Sequence, residues 1–82
     1  MTYLTYLHIT KNHPKWKEIL KVINDIQAKD STFKHHISEA GEIVITSTDK
    51  DQAYKRGAWF HHKHGIKYTV LRKRESELAR SF

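Results

Sequence analysis

The stretch "DKDQAYKRGAWFHHKHG", residues 49–65, predicts a helix whose two ends are both marked in the sequence. Thr48 or Asp49 can cap the first turn with a side-chain oxygen, and Gly65 can end the helix in the left-handed conformation. At about 100° of rotation per residue, one arc of this helix holds Ala53, Gly57, Phe60 and His64, with Tyr54 and His61 at its margin. We expect this arc to face the core.

The opposite arc of the same helix is basic and polar. It holds Gln52, Lys55, Arg56, Trp59, His62 and Lys63. Trp59 lies in the middle of that arc, where it has no obvious core to fill. Cations one turn away can meet phosphates while an unpaired base stacks on the indole, a contact worth about 1–3 kcal/mol per base. This arrangement favours a nucleic-acid contact.

The chain before this helix predicts a strand, a first helix and a hairpin. Residues 2–10 are rich in β-branched and aromatic residues and read as a strand, either face of which can be the buried one. Residues 11–30 predict an amphipathic helix with Pro14 in its first turn and Asn12 or His13 as its cap. Its apolar positions recur at spacings of three and four and are Trp16, Ile19, Leu20, Ile23 and Ile26.

The remaining segments complete a mixed α+β domain. Residues 31–48 alternate as a hairpin that turns at "EAGE", residues 66–74 read as a last strand, and residues 75–82 predict a short helical tail. The element order strand, helix, strand, strand, helix, strand predicts a single domain over residues 1–82. Its expected fold is ferredoxin-like βαββαβ, a four-stranded antiparallel sheet with two helices on one face.

The other face of that sheet is expected to be open. It would carry Lys34, His36, Val44, Thr46, Thr69 and Leu71. This mixture is polar enough to remain in water, so we expect a monomer, although its apolar members permit a dimer.

The positive charge is concentrated in one third of the chain. The net charge is +6, residues 50–74 carry +7, and residues 1–49 are neutral. Such an asymmetry is typical of proteins that bind a polyanion. The chain has no cysteine, which excludes disulfides, thiolate zinc sites and cysteine nucleophiles. No apolar run approaches the roughly 20 residues of a membrane span, and no secretory signal is recognisable, so we expect a cytoplasmic protein.

These patterns predict a small non-enzymatic protein that binds DNA or RNA without a cofactor. The expected contacts are Lys55, Arg56, Trp59, His62, Lys63, Lys67, Arg72, Lys73 and Arg74. The same basic and aromatic residues suit a second class of function, a protein-binding adaptor or inhibitor that engages an acidic partner surface. Tryptophan and arginine are the residues most enriched at the hot spots of such interfaces.

The seven histidines raise two further alternatives. His61 and His64 are one turn apart and can share a metal with His35 or His36, but Lys63 repels a cation there and we expect no metal site. The tripeptides "HIT" (8–10) and "HIS" (36–38) resemble the paired His-x-Thr/Ser motifs of 2H phosphoesterases. That resemblance implies phosphodiester cleavage with His8 and His36 as general base and acid, in a family that needs two similar lobes where this chain has length for one.

The predicted fold also invites comparison with the RNA-recognition motif, which shares its order of strands and helices. That family stacks bases on aromatic rings of its sheet. The third strand of this chain, "EIVITST", has no aromatic residue. Any nucleic-acid contact is therefore expected from the second helix, the last strand and the tail.

Overall fold

The computed structural model describes residues 2–73, which form an α+β fold with two helices and a four-stranded antiparallel sheet. The elements are β1 (Thr2–Leu7), α1 (Trp16–Lys29), β2 (Lys34–Ile37), β3 (Ile43–Ser47), α2 (Lys50–His64) and β4 (Tyr68–Lys73). The strand order across the sheet is β2-β3-β1-β4, and every neighbouring pair is antiparallel. The predicted helical tail and Arg74 lie outside the described residues.

Helix α2 begins and ends where its sequence signals predict. The Asp49 side chain accepts a hydrogen bond from the Asp51 backbone N–H at 3.2 Å. Gly65 takes the left-handed conformation with φ of 69°, and its N–H donates to the His61 carbonyl at 2.9 Å. Lys15 Nζ donates to the His64 carbonyl at 2.9 Å, so a cation from the segment before α1 also satisfies this helix end.

Helix α1 begins later than predicted. Its first residue is Trp16, and Pro14 lies in the turn before it, so neither Asn12 nor His13 is the cap. The Trp16 N–H donates to the His13 carbonyl at 3.1 Å, and His13 Nδ1 accepts from the Lys15 N–H at 3.0 Å. These local bonds hold residues 11–15 in turns, which delays the helix by two residues relative to its proline.

One apolar core joins one face of the sheet to both helices. Its buried members are Leu7, Ile9, Ile19, Ile23, Phe33, Ile43, Ile45, Phe60 and Ile66. The sequence did not indicate which face of β1 is buried. In the structure it is the face that carries Thr5 and Leu7, both of which are fully buried. Thr5 Oγ1 donates to the Ala53 carbonyl at 3.0 Å, which satisfies a buried hydroxyl between β1 and α2.

Gly57 allows α2 to approach β4 closely. It is buried together with Ala53 and Phe60, as the predicted arc requires. A Cβ at position 57 would overlap the ring of Tyr68, whose Cγ would lie only 2.7 Å away. Helix α2 therefore packs closely against the sheet at position 57, where no side chain fits.

Two residues of the sheet depart from the simple alternation of buried and exposed side chains. Val44 points to the expected open face but is fully buried; its cross-strand neighbours are Tyr6 on β1 and His36 on β2. Ile37 lies on the core side at the end of the edge strand β2 and is 47% exposed, because β2 has a partner on one side only. Strand β1 also ends at Leu7, three residues before the predicted end.

Candidate nucleic-acid interface

The exposed side of α2 carries a tryptophan between two lysines. We call Lys55, Trp59, His62 and Lys63 the Trp59 stripe; all four are exposed. Trp59 keeps 40% of its surface in solvent, although one edge packs against the helix. Its ring lies edge-on to Phe60 with centroids 4.9 Å apart, and 5.6 Å from the ring of His64. The indole is thus held in place by neighbouring rings while part of it remains accessible.

The electrostatics of the stripe favour an anion. Lys55 and Lys63 are four residues before and after Trp59, which is about one helical turn in each direction. The last turn of α2 is basic. The acidic residue in the first turn of this helix is Asp51, which is more than one turn from Trp59. Cations at a helix C-terminus also oppose the partial negative charge of that end.

Arg56 does not lie on this stripe, in contrast to the sequence prediction. Its side chain is only 11% exposed. Nη1 donates to the Thr46 carbonyl at 3.2 Å and to Ser47 Oγ at 3.0 Å, while the guanidinium lies over the Phe33 ring, 4.7 Å from its centroid. Burial lowers the pKa of Arg56 and nearby Asp30 opposes that effect, so the group stays charged at neutral pH.

The physical reason for this difference is the reach of the side chain. Arg56 lies at the margin of the exposed arc, where a long side chain can turn back over the end of β3. A helical projection places only Cα atoms and cannot show that acceptors are available there. Arg56 is a structural residue that ties α2 to β3 and to the segment before β2.

A groove opens between α1 and α2 beside Trp59. Its volume is about 420 Å³, and most of its surface is apolar. Its lining residues come from the end of α1, the segment before β2, and α2: Ile26, Asp30, Phe33, Gln52, Lys55, Arg56, Trp59 and Phe60. The Trp59 stripe and this α1–α2 groove share Lys55 and Trp59, so a ligand of the stripe also meets the groove.

The remaining predicted contacts are not gathered on the same surface. Arg72 lines a separate depression with Lys50 and Tyr54, between α2 and the edge strand β4. Lys67 is exposed in the connection from α2 to β4, and its carbonyl accepts from the His8 N–H at 2.9 Å. Lys73 ends β4, paired with Thr2. The structure therefore brings together Lys55, Trp59, His62 and Lys63, and places Arg72 on another surface.

The structure assigns His8 partners that the sequence did not indicate. His8 Nδ1 lies 2.9 Å from Glu42 Oε2, and its Nε2 lies 2.7 Å from Thr69 Oγ1. This carboxylate, imidazole and hydroxyl network joins His8, directly after β1, Glu42, directly before β3, and Thr69 in β4. Thr10, the hydroxyl residue of the "HIT" tripeptide, takes no part in these bonds. Only the strand register brings the three side chains together, and spacing along the chain carries no signal for it.

His36 is on the same face of the sheet as His8 but not beside it. Strand β3 separates their strands, so the two residues are about 10 Å or more apart. His35 faces α1 and lies 2.8 Å from Gln27 Oε1. Burial lowers the pKa of His35, and the charge of His36 lowers it further. Within residues 2–73, no three histidine or acidic side chains are placed to hold a metal ion together.

Comparisons with protein-family models, curated proteins and solved structures found no match to this chain. Within the part of the chain that the structure describes, neither helix has the length and apolar character needed to cross a membrane. The chemistry of the surface is therefore the basis for assigning a function.

Proposed function

We propose that this protein is a small, non-enzymatic, cytoplasmic protein that binds single-stranded nucleic acid through the Trp59 stripe. The observation that carries this proposal is an indole that is 40% exposed, held by neighbouring rings and placed one turn from a lysine on each side. Every base has a face that can stack on an indole, and each lysine can displace a counterion from a phosphate. The proposal includes a ferredoxin-like topology and a monomeric state.

The alternative function is binding to an acidic protein surface through the same stripe. A tryptophan beside cations suits such an interface as well. Single strands are favoured because the stripe is narrow. It extends over nine residues of helix, or about 12 Å from first to last, which is short for a stable protein interface but long enough for about four stacked nucleotides.

Salt dependence of binding tests the electrostatic part of the proposal. If the stripe neutralises about three phosphates, affinity for a labelled single strand should fall about fifteenfold between about 50 and 200 mM salt. Replacing both lysines, Lys55→Gln with Lys63→Gln, should reduce that fall to about threefold. The matched control changes two exposed lysines of α1, Lys17→Gln with Lys21→Gln, and should keep the original slope.

The stacking part is tested by Trp59→Leu in the same assay. Loss of the indole should weaken binding about tenfold and leave the salt slope unchanged, because a stacked base releases no counterion. Absence of binding to any strand at low salt would contradict the proposal. Salt-sensitive binding of an acidic polypeptide, with equal dependence on Trp59 and no binding of nucleic acid, would favour the adaptor instead.

A further inference from the structure

The α1–α2 groove contains a carboxylate, that of Asp30 at the end of α1, whereas Trp59 lines the groove from α2. Asp30 Oδ1 accepts two hydrogen bonds from Thr32, at 2.9 Å from its N–H and 2.6 Å from its hydroxyl. Oδ2 lies 3.9 Å from Arg56 Nη2, which is too far for a hydrogen bond. This second oxygen therefore retains its capacity to accept a hydrogen bond from a ligand.

The charge state of Asp30 is well defined near neutral pH. The hydrogen bonds from the Thr32 side chain and backbone lower the pKa of Asp30; burial opposes them, and the charge of Arg56, the smallest of these effects, lowers the pKa further. The group is therefore an ionised carboxylate, which accepts hydrogen bonds and donates none. About half of this side chain is exposed, so a ligand in the groove can reach it.

The groove combines an apolar lining with positively and negatively charged groups. Phe33 and Phe60 give it an apolar floor, and Trp59 forms one wall. Lys55 and Arg56 supply positive charge on the α2 side, with Arg56 bonded to Thr46 and Ser47, whereas Asp30 supplies negative charge at the end of α1. A phosphate is attracted by Lys55 and repelled by Asp30, while a flat ring with a hydrogen-bond donor at its edge suits the floor and the carboxylate. This complementarity matches one nucleotide with its base directed inward.

We propose that the α1–α2 groove holds one unpaired base of the bound strand and that Asp30 selects bases with an exocyclic amino group over thymine and uracil. This inference rests on the proposed nucleic-acid binding and specifies its ligand. Adenine, cytosine and guanine each present an amino group that can donate to Oδ2. Thymine and uracil present carbonyl oxygens on both sides of their single N–H, and these repel a carboxylate.

The test measures binding of labelled single strands of about 12 nucleotides, made of only adenine, only cytosine or only thymine, by fluorescence anisotropy. The wild-type protein should bind the adenine and cytosine strands about tenfold more tightly than the thymine strand. Asp30→Asn should reduce this preference to about twofold, because an amide can present either a donor or an acceptor. Asn also keeps an oxygen that can accept from Thr32, so the variant should fold.

Asp51→Asn is the matched control. It removes the same charge from an exposed residue outside the groove, so it should raise the affinity for all three strands and keep the base preference. Equal binding of all three strands by the wild-type protein, or a preference that survives Asp30→Asn, would overturn the inference while leaving nucleic-acid binding in place. Failure to bind every strand would instead remove the proposed function together with the inference.

Discussion

Arg56 provides the sharpest test of the distinction between structure and binding on α2. In Arg56→Met, the two hydrogen bonds to Thr46 and Ser47 are lost, at 3.2 and 3.0 Å in the native protein. A hydrogen bond from a charged donor contributes about 1.5–3 kcal/mol. Part of that loss is offset because the variant no longer buries a charged guanidinium, and because methionine can still pack against Phe33. We expect a net loss of about 2–3 kcal/mol in the free energy of unfolding.

A loss of this size is easily measured. In a domain of this length it lowers the thermal midpoint by about 10–20 °C, which circular dichroism can follow. Lys55→Met is the matched control, because Lys55 is the exposed residue next to Arg56 in the chain. Replacing its side chain should change the free energy of unfolding by no more than about 0.5 kcal/mol. Binding should also separate the two variants: Lys55→Met should reduce the salt slope by about 0.7, whereas folded Arg56→Met should keep the slope, because the Arg56 guanidinium is bonded to Thr46 and Ser47 and not to a phosphate. A stable Arg56→Met protein that no longer binds nucleic acid would refute this reasoning.

Two further predictions concern the core and the pH dependence of stability. Gly57→Ala should destabilise the fold by about 1–3 kcal/mol in urea unfolding, despite the better helix propensity of alanine, because the new methyl group meets the Tyr68 ring. An equal effect in a Tyr68→Leu background would argue against that contact. The folded state lowers the pKa of His35, so the unfolded chain binds more protons below about pH 6.5 and stability falls as the pH decreases through that value. His35→Gln should lose less stability between about pH 7.5 and 5.5 than the wild type, and an undiminished loss would contradict this assignment.

The sequence predicted the elements well because their signals are local. The Asp49 cap and the Gly65 end of α2 depend on residues within one turn, and both are confirmed. The buried arc through Ala53, Gly57 and Phe60 follows from periodicity and is confirmed as well. The predicted start of α1 was wrong because hydrogen bonds to the His13 side chain and carbonyl hold a turn where Pro14 alone suggested a helix.

The candidate site was less predictable because its features depend on contacts between distant segments. Asp30 precedes β2 and Gln52 belongs to α2, yet both line one groove. The "DST" stretch of residues 30–32 does indicate a local turn in which Asp30 accepts from Thr32, as observed. Nothing in that stretch indicates which helix lies opposite it. The same applies to Glu42, His8 and Thr69, which only the register of three strands brings together.

The separation of the cations has a consequence for the path of a bound strand. Lys55 lines the α1–α2 groove and shares the Trp59 stripe with Lys63, whereas Arg72 and Lys50 line a depression on the β4 side. A single strand that follows the Trp59 stripe therefore runs along α2 and meets few cations of β4. Neutralisation of about three phosphates gives a slope of about −2 for log affinity against log salt, and participation of the β4 cations would give about −4. The magnitude of that slope thus distinguishes a strand lying along the helix from one that crosses it towards the sheet edge.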